Sequence, residues 1–209
     1  MFVTFEGVEG AGKSTQIALA EAWLRSLGHT VLTTRQPGGC GLGLTLRAIL
    51  LDARNTHLDS TAELFLYLAD RAQHVAEVIR PALAQGAMVL CDRYHDSTVA
   101  YQGFGRGLDV ERLISLGEMA TGGLVPDVTV VLDLPVEQGL ARARSRNSGA
   151  GASQSEGRFE ALEMAFHQRV RDGFLDMAAR EPNRFAVADA TGDPQAVFNR
   201  VQRAIEQRL

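Results

Sequence analysis

"EGVEGAGKST", residues 6–15, follows four residues (Phe2, Val3, Thr4, Phe5) of strand-forming character and runs on into "QIALAEAWLRSL", residues 16–27, whose apolar spacing predicts a helix. Gly7, Gly10, Ala11 and Gly12 leave the connecting loop almost without side chains. Such a loop can curl consecutive backbone N–H groups around an anion. The helix behind it aims its own unpaired N–H groups and its dipole at the same point. Gly7-Val8-Glu9-Gly10-Ala11-Gly12-Lys13-Ser14, with Thr15 next, fits G-x-x-x-x-G-K-[ST] in the strand–loop–helix setting that the pattern requires. In that pattern Lys13 supplies a compact positive charge to the β- and γ-phosphates, and the Ser14 hydroxyl can ligate Mg²⁺. Lys13 is also the single lysine among 21 basic residues, all the others being arginine. A forked guanidinium would crowd such a nest, which accounts for an ammonium at this one position. The loop reads as a cradle for a nucleoside triphosphate.

Outward from this loop, apolar runs of strand length recur near 2–6, 30–35, 87–92, 127–133 and 184–188. Helical patterns separate them near 13–26, 43–52, 59–84, 110–121, 135–146, 158–180 and 194–208. Apolar strands alternating with helices imply an α/β fold: a five-stranded parallel sheet with helices on both faces. The 209 residues suit one domain spanning 1–209. No run of about 18 apolar residues is present, and no basic-then-apolar leader opens the chain, so a cytoplasmic protein is expected. A net charge of −4 argues against a surface built for nucleic acid. Cys91, in the apolar run "AMVLCD", reads as a small core residue. "NSGAGASQSEG", 147–157, carries no large apolar residue and is flanked by Arg142, Arg144, Arg146 and Arg158. It reads as a mobile lid over about 142–158, or as a plain linker.

A triphosphate cradle serves several chemistries. A GTPase would need an N-K-x-D motif, which a chain with one lysine cannot contain, so "DATG" at 189–192 reads as coincidence. "CDRYHDSTVAYQG", 91–103, points to phosphoryl transfer instead. Asp92 ends an apolar strand, where a carboxylate can support Mg²⁺, and Asp133 is its rival at the end of another. Arg93 would project from the same strand end and could clamp an acceptor phosphate, unless it is a structural ion pair. In the helix 59–84, at about 100° per residue, Phe65, Leu68, Ala69, Ala72, Val75, Ala76, Ile79 and Leu83 share one stripe taken as the core face. Tyr67, Arg71 and His74 fall opposite. An aromatic ring one turn from a guanidinium can stack on a base and bond its carbonyls, or it can be a solvated pair. His74 is expected at a surface or interface.

Together the P-loop, "TRQPGG" (34–39), "LADRAQH" (68–74), "DRYHDSTVAYQG" (92–103), "PDVTVVLD" (126–133) and "RARSR…GRFE" resemble the bacterial thymidylate kinases, in order and over nearly the whole chain. The resemblance implies transfer of the ATP γ-phosphoryl group to dTMP with Mg²⁺ in a homodimer. It implies that Arg93 holds the acceptor phosphate, Arg71 bonds thymine and Tyr67 stacks on it. Ser97, Thr98 and Gln102 would line the base pocket. Tyr101 would sit under the sugar, Glu9 would face its 3′-hydroxyl, and Pro37 and Arg47 would border the site. A P-loop without its own arginine goes with catalytic arginines in the lid, here Arg142 and Arg146. Gln36 stands where the family usually has glutamate. A deoxynucleoside kinase and an ATP-gated binding module are the competing readings.

Overall fold

The computed structural model describes residues 1–147, 158–159 and 162–209. Its strands are β1 (Phe2–Glu6), β2 (Val31–Arg35), β3 (Met88–Asp92), β4 (Val128–Asp133) and β5 (Phe185–Asp189). They form one sheet in the order β2-β3-β1-β4-β5, with every neighbouring pair parallel. Each lies within a residue of its expected position; in β1, β3 and β4 burial along nearly the whole strand leaves a nearly unbroken apolar run. β1 is central: Thr4 pairs with Cys91 on β3 and with Thr129 on β4. The chain builds one side of the sheet before crossing to the other. A crevice therefore opens beyond the carboxyl end of β1, where the P-loop lies.

Period-2 alternation divides the apolar side chains of β1 and β3. Val3, Phe5 and Leu90 join the larger cluster, while Phe2, Val89 and Cys91 join a second one with Val75, Ile79 and Tyr94. Cys91 is fully buried, in the core role expected of it.

The helices are α1 (Lys13–Ser26), α2 (Gly41–Leu51), α3 (Ser60–His74), α4 (Arg80–Ala84), α5 (His95–Thr98), α6 (Val110–Thr121), α7 (Val136–Asn147), α8 (Met164–Arg180) and α9 (Pro194–Glu206). Asp59, Asp109 and Asp193 cap α3, α6 and α9 by accepting backbone N–H bonds, each worth about 1 kcal/mol.

Four expectations need correction. The single helix over 59–84 is two helices joined through a widened π-type turn, Val75–Ile79. That turn breaks the 3.6-residue phase, so Val75 and Ile79 face inward together with His74. The presumed core stripe already fails within α3: Leu68 is buried, whereas Phe65 is 57% exposed and Ala69 and Ala72, like Ala76 in the turn, lie outside. The face carrying Arg71 and His74 is the buried one. Third, the helix expected over 158–180 begins at Met164, Arg158 and Phe159 forming a turn. Fourth, the stretch after β3, left without an element, is helical: α5 continues as a π-type segment, Val99–Gly105. The central part of the expected lid, 148–157, lies outside the described residues.

Candidate active site

Gly7, Gly10 and Gly12 have φ of 133°, 71° and 95°, the left-handed side that glycine reaches without strain. Gly10 needs its hydrogen for a second reason. A Cβ there would collide with the carbonyl of Gly139 in α7, and one on Gly139 would collide with the carbonyl of Glu9. The P-loop and α7 thus meet backbone to backbone. Lys13 Nζ donates to the carbonyls of Gly7 and Val8, both at 3.0 Å. Burial lowers Lys13 to about 8, the nearby Arg93 adding to the effect against Asp92, Glu9 and Glu6. An arriving polyphosphate raises it again, favouring the ammonium where it is used.

Ser14 Oγ lies 3.4 Å from Asp92 Oδ2. The rival Asp133 is engaged elsewhere, held by Arg171 through bonds of 2.6 and 2.9 Å. A hydroxyl and a carboxylate are the oxygen donors a hard cation takes, so this pair fits Mg²⁺. Among the described residues no three His, Cys, Asp or Glu converge on a metal position. A cation at Ser14 and Asp92 would complete its shell with oxygens of water and substrate.

Arg93 follows β3 with φ 69°, a conformation unusual outside glycine and concentrated at functional sites. Its guanidinium donates to Gly7 O and Ser97 Oγ, both at 3.1 Å, to Glu9 Oε1 at 3.2 Å and to the Tyr101 hydroxyl at 3.0 Å. That hydroxyl in turn donates to Glu9 Oε1 at 2.6 Å. Burial disfavours the Glu9 carboxylate, yet His167, Arg93, Lys13 and Tyr101 together bring it down to about 2. Glu6, at the end of β1, accepts from Tyr94 N at 2.7 Å and from Ser97 Oγ at 2.5 Å. It thereby fixes the backbone just beyond Arg93. Burial, and then Asp96, raise Glu6 to about 7.

Arg71 and His74, expected opposite the core face of their helix and His74 at a surface or interface, are 2% and 0% exposed. The reason is that each finds polar partners on other elements. Arg71 donates to Gln36 Oε1, Thr98 Oγ1 and Tyr94 O, each at 2.9 Å. Among the described residues it makes no ion pair. His74 meets Thr34 and Gln36. Tyr67, half-buried, stands one turn before Arg71.

One cleft of about 600 Å³ gathers most of the expected residues: Glu9, Gly10, Gly12, Lys13, Ser14, Thr15, Pro37, Arg47, Tyr67, Arg71, Asp92, Arg93, Ser97, Thr98, Tyr101 and Gln102. Gly7, Val8 and Ala11 are not on its wall. Val8 and Ala11 join the core, and Gly7 contributes its carbonyl to Lys13 and Arg93. Arg142 is exposed on α7 and is not part of the lining. The Arg146 side chain lies outside the described residues.

The thymidylate kinase family model matches residues 5–201. The chain belongs to that family. It is 64% identical to the thymidylate kinase of Solidesulfovibrio magneticus over 209 residues, all of both chains. The thymidylate kinase of Nitratidesulfovibrio vulgaris is 60% identical over 209 residues, which is 100% of this chain and 97% of that one. The crystal structure of thymidylate kinase from Ehrlichia chaffeensis superimposes with a TM-score of 0.79 at 32% identity, covering 98% of each chain.

Several members of this cleft escaped the sequence. Arg35, Leu51, Tyr94 and Phe159 line it as well, together with Gln36. Glu6 and His167 stand behind it, His167 Nδ1 being 3.2 Å from Glu9 Oε2. Arg158, at the end of the supposed lid, is buried in an ion pair with Glu63 at 2.6 Å and donates to Leu50 O and Asn55 O. That is the work of a structural bolt.

Proposed function

We propose that the protein transfers the γ-phosphoryl group of ATP to dTMP, giving dTDP and ADP. The observation that carries the proposal is the single cleft, which joins the phosphate cradle of Lys13 and Ser14 to Tyr67, Arg71 and Arg93. The acceptor phosphate is already anionic, so the reaction needs charge and position more than a base. Arg93 holds that phosphate, while Arg71 and the Tyr67 ring hold the thymine with Ser97, Thr98 and Gln102 around it. Tyr101 and Glu9 border the sugar, and Pro37 and Arg47 close the acceptor side. The P-loop amides of residues 7–15 and Lys13 take the ATP phosphates, and Lys13 with Arg93 offsets the charge on the migrating group. Arg142 and Arg146 are proposed to reach that group from a lid over about 142–158.

Mg²⁺, bound by Ser14 and supported by Asp92, would neutralise phosphate charge when present. Treatment with a chelator should abolish turnover, and added Mg²⁺ should restore it.

A deoxynucleoside kinase would need a carboxylate base at the acceptor hydroxyl. Glu9 is the carboxylate at hand, but a group near 2 is a weak base at neutral pH. A cytoplasmic homodimer completes the proposal, with the exposed Phe65 side of α3 as the contact face; sedimentation of the wild type against Phe65→Glu tests it. The reaction itself is tested by phosphorus NMR of a mixture with ATP, Mg²⁺ and dTMP. Signals of dTDP appearing with enzyme alone support it, and an unchanged dTMP signal refutes it.

A further inference from the structure

Behind Arg71 runs a chain of hydrogen bonds whose proton positions follow from chemistry. Arg71 Nε has no lone pair, so the Gln36 atom 2.9 Å from it must be the carbonyl Oε1. The other end of that amide, Nε2, is 2.9 Å from His74 Nδ1 and can only donate. Nδ1 therefore accepts, and the single proton of the ring sits on Nε2. From there it is donated to Thr34 Oγ1 at 2.7 Å. Gln36 is 3% exposed and His74 fully buried, so the amide and the ring are shielded from bulk water at the floor of the cleft. Gly39 leaves the slot in which the ring lies: a Cβ there would strike His74 Nε2.

We propose that Gln36 is a positioning residue for the acceptor site: its amide locks His74 as the neutral Nε2–H tautomer and holds Arg71 by a neutral acceptor instead of a carboxylate, keeping the guanidinium aimed at an electronegative atom of the acceptor. The proposal rests on the reading of Arg71 as the contact to the base. Two features of the surroundings agree with it. The groups hydrogen-bonded to Arg71 besides Gln36 are uncharged acceptors, namely Thr98 Oγ1, Tyr94 O and, at 3.5 Å, His95 Nδ1, while the carboxylates of Asp70 and Glu6 act on it without a hydrogen bond. The charged groups facing His74 are Arg71 and Glu77; burial first and then Arg71 lower it to about 4, outweighing the opposite pull of Glu77. A carboxylate at position 36 would change all of this. It would form an ion pair directly at Arg71 Nε, it has no proton to offer Nδ1, and it would draw the ring proton to Nδ1 or stabilise a second one.

The test is nitrogen–proton NMR on the full chain labelled at histidine, with the His74 signals assigned by their loss in His74→Gln. The wild type should show the Nε2–H pattern unchanged from pH 6 to pH 9. Gln36→Glu should switch the ring to Nδ1–H and move its titration towards neutrality. The same variant should raise KM for dTMP about tenfold while kcat stays within about threefold, the signature of a weakened contact to a charged donor. A wild-type ring protonated on Nδ1, or titrating near the free value of about 6.5, would overturn the proposal. So would Gln36→Glu with unchanged tautomer and unchanged KM. The tautomer is read without any acceptor, so a failed base contact is told apart: Arg71→Ala would then leave KM for dTMP unaltered while the Nε2–H pattern persisted.

Discussion

Arg93 Nη2 and Glu9 Oε1 lie 3.2 Å apart, one just past β3 and the other inside the P-loop, and the Tyr101 hydroxyl bonds to both. Three elements are thus tied together at the point where donor and acceptor would meet. Replacing Arg93 by Ala removes the cation on which that arrangement converges. The expected outcome is a fall of about a thousandfold in kcat/KM with dTMP, in the range set by arginines that act on transferring phosphoryl groups. Initial rates over a dTMP series check it.

Lys13→Ala separates chemistry from folding. Its two bonds, to Gly7 O and Val8 O, brace the loop, but the side chain is a buried ammonium at a site where the charge is disfavoured. The rate should fall about a thousandfold, while the thermal midpoint stays within about 4 °C of the wild type. A variant that turns over at near-normal speed would contradict the role given to the cradle.

Tyr67 should act through its ring rather than its hydroxyl. Tyr67→Phe is expected to leave KM for dTMP within about twofold, whereas Tyr67→Ala should raise it at least about tenfold, the usual worth of base stacking on an aromatic. Steady-state kinetics of the two variants side by side make the comparison.

Glu6 predicts a pH dependence of stability. Burial, then Asp96, raise its carboxyl from 4.5 to about 7 in the folded chain. The native state therefore binds more protons than the unfolded state between those values, and stability falls as pH rises through that window. Below about 4.5 the group contributes no penalty; above about 7 the penalty is full. Glu6→Gln should flatten this part of the curve. Urea midpoints at pH 5, 6, 7 and 8 for both proteins test it, and parallel curves would exclude Glu6 as the source.

What could be read from the sequence, and what could not, divides along physical lines. The P-loop was legible because its chemistry requires glycines and one lysine in consecutive positions. β1, β3 and β4 were legible because burial on both faces leaves a nearly unbroken apolar run, which the half-buried β2 and β5 show only in part. Arg71 and His74 were misplaced because helix periodicity weighs apolarity alone. It cannot see Thr98 or Thr34, which come 27 residues after Arg71 and 40 before His74 in the chain. α5 and its continuation were invisible for a related reason: "HDSTVAYQG" points its polar groups inward to Glu6, Arg71 and Arg93, so no amphipathic stripe forms. His167 lies even further from its partner Glu9 and had no local signal at all. Arg158 had one, its place beside "GRFE", but nothing local distinguishes an arginine that reaches for phosphate from one that bolts onto Glu63.

The account stands most directly on the identity of the acceptor. ADP release from ATP and Mg²⁺ should be measured with dTMP, dUMP, thymidine, dCMP and dGMP offered separately. Strong release with dTMP, weaker release with dUMP and almost none with thymidine is the predicted result, since Arg93 requires a phosphate and Arg71 a pyrimidine carbonyl. Release with thymidine but not with dTMP would contradict it.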